Sequence, residues 1–290
     1  AEYDLILAGA GHAHLGVLRR WALVERPPGR IALLSLGPEA WYAGMLPGLI
    51  SGRFSAADCR VELQPLCRAA KVDLIEGEIA SLDADARVLQ LEDGRCLHSE
   101  WMSLNVGAGM AIPPQQGDAM QVLAARPIDK LLEGWRQWQA EPRRMAILGG
   151  GAGGVELALA LADQVPALAL FCGGTLLDGL SPGLRLRALG HLRQRGVQVR
   201  EHCPIGRIED DWLLSGDEPV WRGRRLLLAS GARPWPWLTA SQLATDAAGF
   251  IAIRPTLQSE SHTQIFAVGD SASLDGMRRS GRFAVRQAPV

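Results

Sequence analysis

The sequence lacks several features that would place it in other classes of protein. Lys71 and Lys130 are its only lysines, and the formal net charge of the 290-residue chain is -1. A balance this close to neutral gives no support for a nucleic-acid partner. No apolar run approaches the roughly 18 residues needed to span a bilayer, and the start, Ala1 to Asp4, has no basic segment typical of a signal peptide. We therefore expect a cytoplasmic protein.

The cysteines do not have the spacing of a disulfide framework or a metal site. They are Cys59, Cys67, Cys96, Cys172 and Cys203. Since no pair has CxxC spacing, neither a zinc knuckle nor a thioredoxin-like motif is indicated. We expect reduced and mostly buried cysteines. The histidines at 191, 202 and 262 also lack ligand spacing, so no metal site is predicted.

Two glycine-rich segments, about 140 residues apart, each follow a short apolar run. Gly9-Ala10-Gly11-His12-Ala13-His14 comes after Tyr3 to Ala8, and Gly149-Gly150-Gly151-Ala152-Gly153-Gly154 comes after Met145 to Leu148. Helical apolar spacing follows each segment. This strand–loop–helix order predicts two dinucleotide sites, an arrangement suited to moving electrons from one cofactor to the other.

Each glycine of a GxGxxG loop has a steric role. The first permits a tight turn, the second lets the backbone approach a pyrophosphate, and the third lets the helix pack closely on the strand. The helix N-terminus then faces the phosphates. In the first loop His14 follows Gly9 and Gly11 at the third position, which predicts wider helix–strand spacing or a different helix start. The second loop satisfies all three positions, with Gly149, Gly151 and Gly154.

Neither loop is accompanied by the acidic residue that usually binds a ribose at the end of the second strand. Those strand ends read Leu34-Ser35-Leu36 and Phe171-Cys172-Gly173. The Ser35 hydroxyl is able to hydrogen-bond a ribose. The second site has neither an acid nor a basic cluster, so the choice between NADH and NADPH stays open.

The two halves of the chain repeat one plan of glycine loop, βαβ unit, small β-meander and closing Gly-Ala. After Pro234 we expect the chain to return to the first half, where Phe250 to Ile253 and Ile265 to Val268 complete the first sheet. We therefore predict an α/β fold with two Rossmann-like three-layer (ββα) domains. The first is discontinuous, at 1–122 and 235–290, and the second lies at 123–234.

These motifs resemble those of the FAD-dependent pyridine nucleotide–disulfide oxidoreductase superfamily. In particular they resemble NADH dehydrogenase-like flavoproteins, including those fused to selenide, water dikinase. The resemblance covers essentially the whole chain and implies a fold of the glutathione-reductase type, with FAD at the first loop and NADH or NADPH at the second. Members normally continue into a further domain that supplies a dimer interface or a membrane-binding helix. We expect this C-terminal domain to be missing, so the oligomeric state stays open and peripheral contact with the inner face of the membrane is expected only through that region.

The resemblance also implies roles for segments far from the loops. Tyr42 to Leu49 resembles the segment beside the isoalloxazine ring, and Thr263 to Asp270 resembles the second FAD motif, whose aspartate binds the ribityl chain. Glu156 matches a glutamate near the meeting of flavin and nicotinamide; the alternative is a helix N-terminal charge. Arg286 and Gln287 loosely resemble the quinone-side segment of type II NADH dehydrogenases; the alternative is a plain helix surface.

The predicted catalytic residues are Glu156 and Pro47. The predicted cofactor-binding residues are Gly9, Gly11, His12, Ala13, His14, Ser35, Gly44, Met45, Leu46, Ile79, Gly107, Gly269, Asp270, Gly149, Gly151 and Gly154.

The function that these features predict is an FAD-dependent oxidoreductase. It passes hydride from NAD(P)H to the flavin and electrons on to a quinone or another small-molecule acceptor, while the protein supplies positioning and electrostatics. Two alternatives stay open. One is a flavin-binding redox sensor or electron-transfer module without turnover of its own, and the other is a sulfide:quinone-type enzyme that uses Cys172 and Cys203.

Overall fold

A computed structural model describes residues 1–138, 144–274 and Gln287. The chain divides into two compact units. The first contains Ala1–Tyr42, Arg60–Gly109 and the described part of Arg233–Val290. The second contains Ala43–Cys59 and Met110–Ala232.

The described residues form strands, α-helices and short 3₁₀ turns. The strands are β1 (Glu2–Ala8), β2 (Ile31–Ser35), β3 (Glu39–Trp41), β4 (Arg60–Glu62), β5 (Asp73–Glu76), β6 (Ile79–Asp83), β7 (Val88–Leu91), β8 (Cys96–Leu104), β9 (Gly109–Met110), β10 (Gln115–Gln116), β11 (Gln121–Ala124), β12 (Arg144–Leu148), β13 (Ala167–Phe171), β14 (Gln198–Arg200), β15 (Arg207–Glu209), β16 (Trp212–Ser215), β17 (Glu218–Arg222), β18 (Arg225–Leu228), β19 (Ala232–Arg233), β20 (Ile251–Ala252), β21 (Ile265–Ala267) and β22 (Ala272–Ser273). The α-helices are α1 (His12–Leu23), α2 (Leu46–Ile50), α3 (Leu63–Ala70), α4 (Ile128–Trp138), α5 (Ala152–Leu161), α6 (Pro182–Gln194) and α7 (Pro236–Thr239). Short 3₁₀ turns lie at Ala43–Met45, Ala57–Cys59 and Gly269–Ser271.

The main sheet of the first unit has the strand order β5-β2-β1-β8-β7-β6, and β21 also pairs with β8. Strands β5, β2, β1, β8 and β21 are parallel neighbours, whereas β6, β7 and the start of β8 form an antiparallel meander. The carboxyl ends of the parallel strands therefore meet at one edge of the sheet, where open α/β sheets bind their ligands.

Side chains of β1 alternate between two buried cores, as the period of a strand requires. Leu7 packs with Leu18 of α1 and Leu63 of α3 on the helical side. Ile6 packs on the other side with Leu89 of the meander and Ile251. The parallel sheet is thus the middle of three layers.

The second unit repeats this plan. Its parallel sheet has the order β11-β18-β12-β13-β14, and an antiparallel sheet has the order β10-β15-β16-β17. Ala146 and Leu148 of the parallel sheet share a core with Ile208, Leu213 and Trp221 of the antiparallel one. The predicted α/β fold with a three-layer arrangement in each half is confirmed.

The predicted return of the chain to the first sheet is right for one strand and wrong for the other. β21 pairs with β8 through Ile265–Ala267. β20 instead pairs with β22 in a separate two-stranded sheet. Ile251 of β20 packs in the core that contains Ile6 of β1, so β20 lies against one face of the sheet and does not extend it.

The boundaries between the two ligand-binding domains, at 122/123 and 234/235, stay a prediction. The compact units differ from them at three places. The segment Ala43–Cys59 and residues 110–122 belong to the second unit, where β11 pairs with β18, and residues 233–234 belong to the first unit.

Candidate functional site

The first glycine loop joins the end of β1 to the start of α1. Gly9 has φ +95°, a left-handed conformation that glycine adopts without strain, and its N–H donates to the Leu34 carbonyl at 2.8 Å. Gly11 is the N-cap of α1, and the first turn of this helix contains no acidic residue. Asn105 Oδ1 accepts the His14 N–H of this turn at 3.4 Å. No negative charge of the first turn therefore opposes an anion, such as a phosphate, at this helix end.

Asn105 lies beneath this loop and was missed in the sequence, where only Gly107 of its segment was singled out. The side chain is 5% exposed, and its Nδ2 donates to the Val268 carbonyl at 3.1 Å. A Cβ at Gly9 would collide with the Asn105 carbonyl, and a Cβ at Gly11 would collide with the Asn105 amide. The packing on Asn105 thus supplies a second reason for both glycines, and the predicted approach of a pyrophosphate to Gly11 stays a prediction.

His14 fills the third position of the loop without moving the start of the helix. Both α1 and α5 begin one residue after the second glycine of their loops. The His14 ring is 1% exposed, with Nδ1 at 2.7 Å from the Gly9 carbonyl and Nε2 at 2.8 Å from Ser103 Oγ. Burial lowers the pKa of His14 to about 4, against a smaller opposing effect of the hydrogen bond with Gly9.

The third motif ends beside the first loop. β21 runs parallel to β8, and Gly269 follows it with φ +69°. Asp270 is half-buried in the 3₁₀ turn Gly269–Ser271, and β22 follows this turn. Gln287 is buried, and its Oε1 accepts the Gly269 N–H at 2.8 Å. Arg286 lies outside the described residues.

Other predicted residues of the first site lie on the same sheet or near its carboxyl edge. Ser35 is the last residue of β2 and is buried, and Gly107 follows β8 with φ +66°. The His12 ring makes an edge contact with Tyr42, at 4.9 Å between centroids. Ile79 opens β6 and is half-buried. Ala13 is buried in the first turn of α1. Their contacts with a cofactor stay predictions.

In the second glycine loop, the close contacts expected of the motif occur at its first and third glycines. Gly149 has φ +142°, and a Cβ there would collide with the Ala229 carbonyl. A Cβ at Gly154 would collide with the Gly149 carbonyl, whereas Gly151 and Gly153 face open space. Because the exposed backbone at Gly151 leads directly into the uncapped α5, this loop fits a pyrophosphate.

An acidic residue does lie near the end of the second strand of this unit, although Cys172 occupies the usual position. Glu201 follows β14, and its carboxylate accepts the Leu176 N–H at 2.7 Å and two hydrogen bonds from Arg185 at 2.8 and 2.9 Å. These contacts, led by Arg185, lower the pKa of Glu201. Sequence reasoning missed Glu201 because it follows β14, whereas the motif places the acidic residue after β13.

The two predicted catalytic residues lie on packed helices of the second unit. Pro47 is in the first turn of α2, Glu156 is exposed on α5, and α2 packs against α5. Gln164 Nε2 holds the end of α2 by donating to the Ile50 carbonyl at 3.1 Å. Gly44, Met45 and Leu46 belong to this unit too. The helix dipole has most effect in the first turn of a helix, and Glu156 lies beyond the first turn of α5. The alternative role of Glu156 as an N-terminal charge is therefore weakened.

Within residues 1–138, 144–274 and Gln287, no helix has both the length and the apolar composition required to cross a membrane. The same residues contain no group of three or more His, Cys, Asp or Glu side chains that is arranged to hold a metal ion.

The chain belongs to the pyridine nucleotide-disulphide oxidoreductase family, whose model matches residues 3–288. It is 22% identical to the NADH dehydrogenase-like protein YutJ of Bacillus subtilis over 276 residues, which are 93% of this chain and 77% of that protein. It is 27% identical to the mercuric reductase of Acidithiobacillus ferrooxidans over 207 residues, which are 69% of this chain but 37% of that protein. The predicted family is confirmed, and so is the predicted resemblance to an NADH dehydrogenase-like protein.

A solved structure shows the same fold. The water-forming NADH oxidase of Lactobacillus brevis, bound to NADH, superposes with a TM-score of 0.84 at 17% identity, over 99% of this chain and 68% of the oxidase. The family is one of FAD-dependent NAD(P)H oxidoreductases, so the predicted class of enzyme and the predicted cofactor pair are confirmed at the level of the family.

Proposed function

We propose that this chain binds FAD at the first glycine loop and NADH or NADPH at the second, and that it passes reducing equivalents from the nicotinamide to the flavin. The observation that carries this proposal is the repetition of one geometry. In each unit a helix whose N-cap residue is a glycine follows a glycine turn at the carboxyl edge of a parallel sheet. Two such sites in one chain of this family support two dinucleotides.

The protein contributes binding and orientation. When bound, FAD accepts two electrons from the nicotinamide and releases them to an acceptor. At the first site, we propose that the N-terminus of α1 binds the pyrophosphate and that Asp270, at the neighbouring strand end, accepts a hydrogen bond from a hydroxyl group. At the second site, we propose that Gly151 and the N-terminus of α5 bind the nicotinamide dinucleotide and that Glu156 orients the nicotinamide.

The electron acceptor is proposed to be a quinone or another small molecule. The named relatives support a shared donor side with varied acceptors, since one is a mercuric reductase and another a water-forming NADH oxidase. A sulfide:quinone-type reaction through Cys172 is disfavoured. Cys172 is buried, and this burial, with a smaller effect of Glu201, raises the pKa of its thiol to about 11, so it carries little of the nucleophilic thiolate at neutral pH.

The test is to identify the flavin that the purified protein releases on heating, to reconstitute the apoprotein with FAD, and then to add NADH or NADPH without oxygen. Loss of the long-wavelength flavin absorbance is expected with at least one nicotinamide. The reduced protein is next mixed with a water-soluble quinone or with oxygen, and sulfide is tested separately as an electron donor to the oxidised protein. Reduction without reoxidation by any acceptor would favour the electron-transfer module or sensor over an enzyme with turnover.

A further inference from the structure

His14 occupies the position where a glycine loop of this type ordinarily has its third glycine. Its ring is buried and makes two hydrogen bonds, to the Gly9 carbonyl and to Ser103 Oγ. A carbonyl oxygen can only accept, so Nδ1 carries the proton. In a neutral imidazole Nε2 must then accept, and the Ser103 hydroxyl donates to it. Both ring nitrogens and the loop carbonyl are thereby satisfied.

The second loop shows what this carbonyl does when the third residue is glycine. There the Gly149 carbonyl points at Gly154 so closely that a Cβ would collide with it. The Gly9 carbonyl points in the corresponding direction, toward His14. The histidine therefore replaces a bare backbone contact with a directional hydrogen bond at 2.7 Å.

The direction of this carbonyl fixes a neighbouring N–H group. The peptide between Gly9 and Ala10 is planar and trans, so its C=O and N–H point in opposite directions. With the carbonyl held against the buried His14 ring, the Ala10 N–H points away from this ring. An anion that approaches the helix N-terminus from that side would meet this N–H.

We propose that His14 is a positioning residue, which holds the Gly9–Ala10 peptide so that the Ala10 N–H faces the phosphates of the bound flavin nucleotide. This assignment rests on the proposed binding of FAD at the first loop. The Gly9 carbonyl fixes the ring tautomer, and the Ser103 hydroxyl, which donates to Nε2, holds the ring from the other side. The lowered pKa of the ring agrees with this role, since a neutral ring keeps Nδ1 as donor and Nε2 as acceptor at physiological pH.

Three substitutions separate the two hydrogen bonds of His14. In His14→Asn the amide nitrogen takes approximately the place of Nδ1 and can still donate to Gly9. In His14→Gln the amide reaches approximately the place of Nε2 and keeps only the contact with Ser103. His14→Gly restores the three-glycine motif and loses both contacts. The dissociation constant of FAD is measured by fluorescence quenching with each apoprotein, and far-UV circular dichroism checks that each variant is folded.

We expect His14→Asn to bind FAD within about threefold of the wild type, and His14→Gln and His14→Gly to bind it about tenfold or more weakly, as the loss of one buried hydrogen bond implies. NADH affinity, which reports on the second loop, should be unchanged in all three. Equal FAD affinity of His14→Gly and wild type, or an equal loss in His14→Asn and His14→Gln, would overturn the assignment. If His14→Gly does not fold, the Asn and Gln variants still decide. Failure of the wild type to bind FAD would instead overturn the proposed function, and this assignment with it.

Discussion

Two adjacent glycines in α5 are predicted to respond in opposite ways to the same substitution. Gly153 faces open space, whereas a Cβ at Gly154 would collide with the Gly149 carbonyl. Both are helical, so replacement by alanine brings the same gain in helix propensity, up to about 1 kcal/mol. Gly153→Ala is therefore a matched control for Gly154→Ala.

The collision decides the sign at Gly154. Forcing a methyl group into a packed contact costs about 1–3 kcal/mol, and the upper part of this range applies because the obstacle is backbone of the loop itself. After subtracting the helix gain, we expect Gly154→Ala to lower the free energy of unfolding by about 2 kcal/mol. Gly153→Ala should raise it by up to about 1 kcal/mol.

Thermal and urea unfolding measure these changes, and equilibrium titration measures NADH affinity. The melting temperature is expected to fall by several degrees for Gly154→Ala and to rise slightly for Gly153→Ala, at about 2–4 °C for each kcal/mol. Only Gly154→Ala should weaken NADH binding, since only it displaces the loop, and FAD retention should be unchanged in both. Equal stability and equal NADH affinity of the two variants would refute the close approach of α5 to its loop.

Three further predictions follow from buried and exposed side chains. The pKa of His14 is lowered from 6.5 to about 4, so the unfolded state binds more protons than the folded state between these values. The stability present above pH 6.5 is therefore lost as the pH falls, and the free energy of unfolding should drop by about 2 kcal/mol from pH 7 to pH 4.5 through this group. Urea unfolding measures this change, and an equal drop in His14→Asn would refute the attribution to His14. Iodoacetamide at pH 8 should label the exposed Cys96 and spare the buried Cys172, whose pKa is raised to about 11; rapid labelling of Cys172 in peptide mass mapping would contradict its burial. Glu156→Gln should change the free energy of unfolding by no more than about 0.5 kcal/mol, because the residue is exposed. If Glu156 orients the nicotinamide, the same substitution should slow NADH-dependent flavin reduction about tenfold or more. An unchanged rate in stopped-flow absorbance would show that Glu156 is not part of the site.

The local parts of both sites could be predicted from the sequence. A strand, a glycine turn and a helix are adjacent in the chain, so the spacing of Gly149, Gly151 and Gly154 is enough to place the second loop. The same argument located β1, α1 and the first loop, and the apolar run at Ile265 correctly predicted β21.

The remainder depends on contacts between distant residues. Asn105 lies about 90 residues from the loop that it supports, and no local pattern connects the two. β20 and β21 are both apolar, yet only β21 pairs with β8, whereas β20 pairs with β22. The apolar character of a strand alone therefore does not predict its partner. A polar residue directly after a buried strand, such as Asn105 after β8, is the one signal that would have indicated its role.

Comparison of the two glycine loops shows why a motif match alone is weak evidence for the structure of a site. The first loop departs from the motif at His14, yet a hydrogen bond replaces the missing glycine. The second loop matches the motif fully, but the acidic side chain near its second strand is Glu201, which Arg185 already binds.

Anaerobic titration of the FAD-reconstituted protein with NADH and with NADPH tests the central claim most directly. If the two loops bind the two dinucleotides as proposed, about one equivalent of the preferred nicotinamide should abolish the long-wavelength absorbance of one flavin, because both cofactors exchange two electrons. A protein that binds FAD but keeps this absorbance in excess NADH and in excess NADPH would contradict the account.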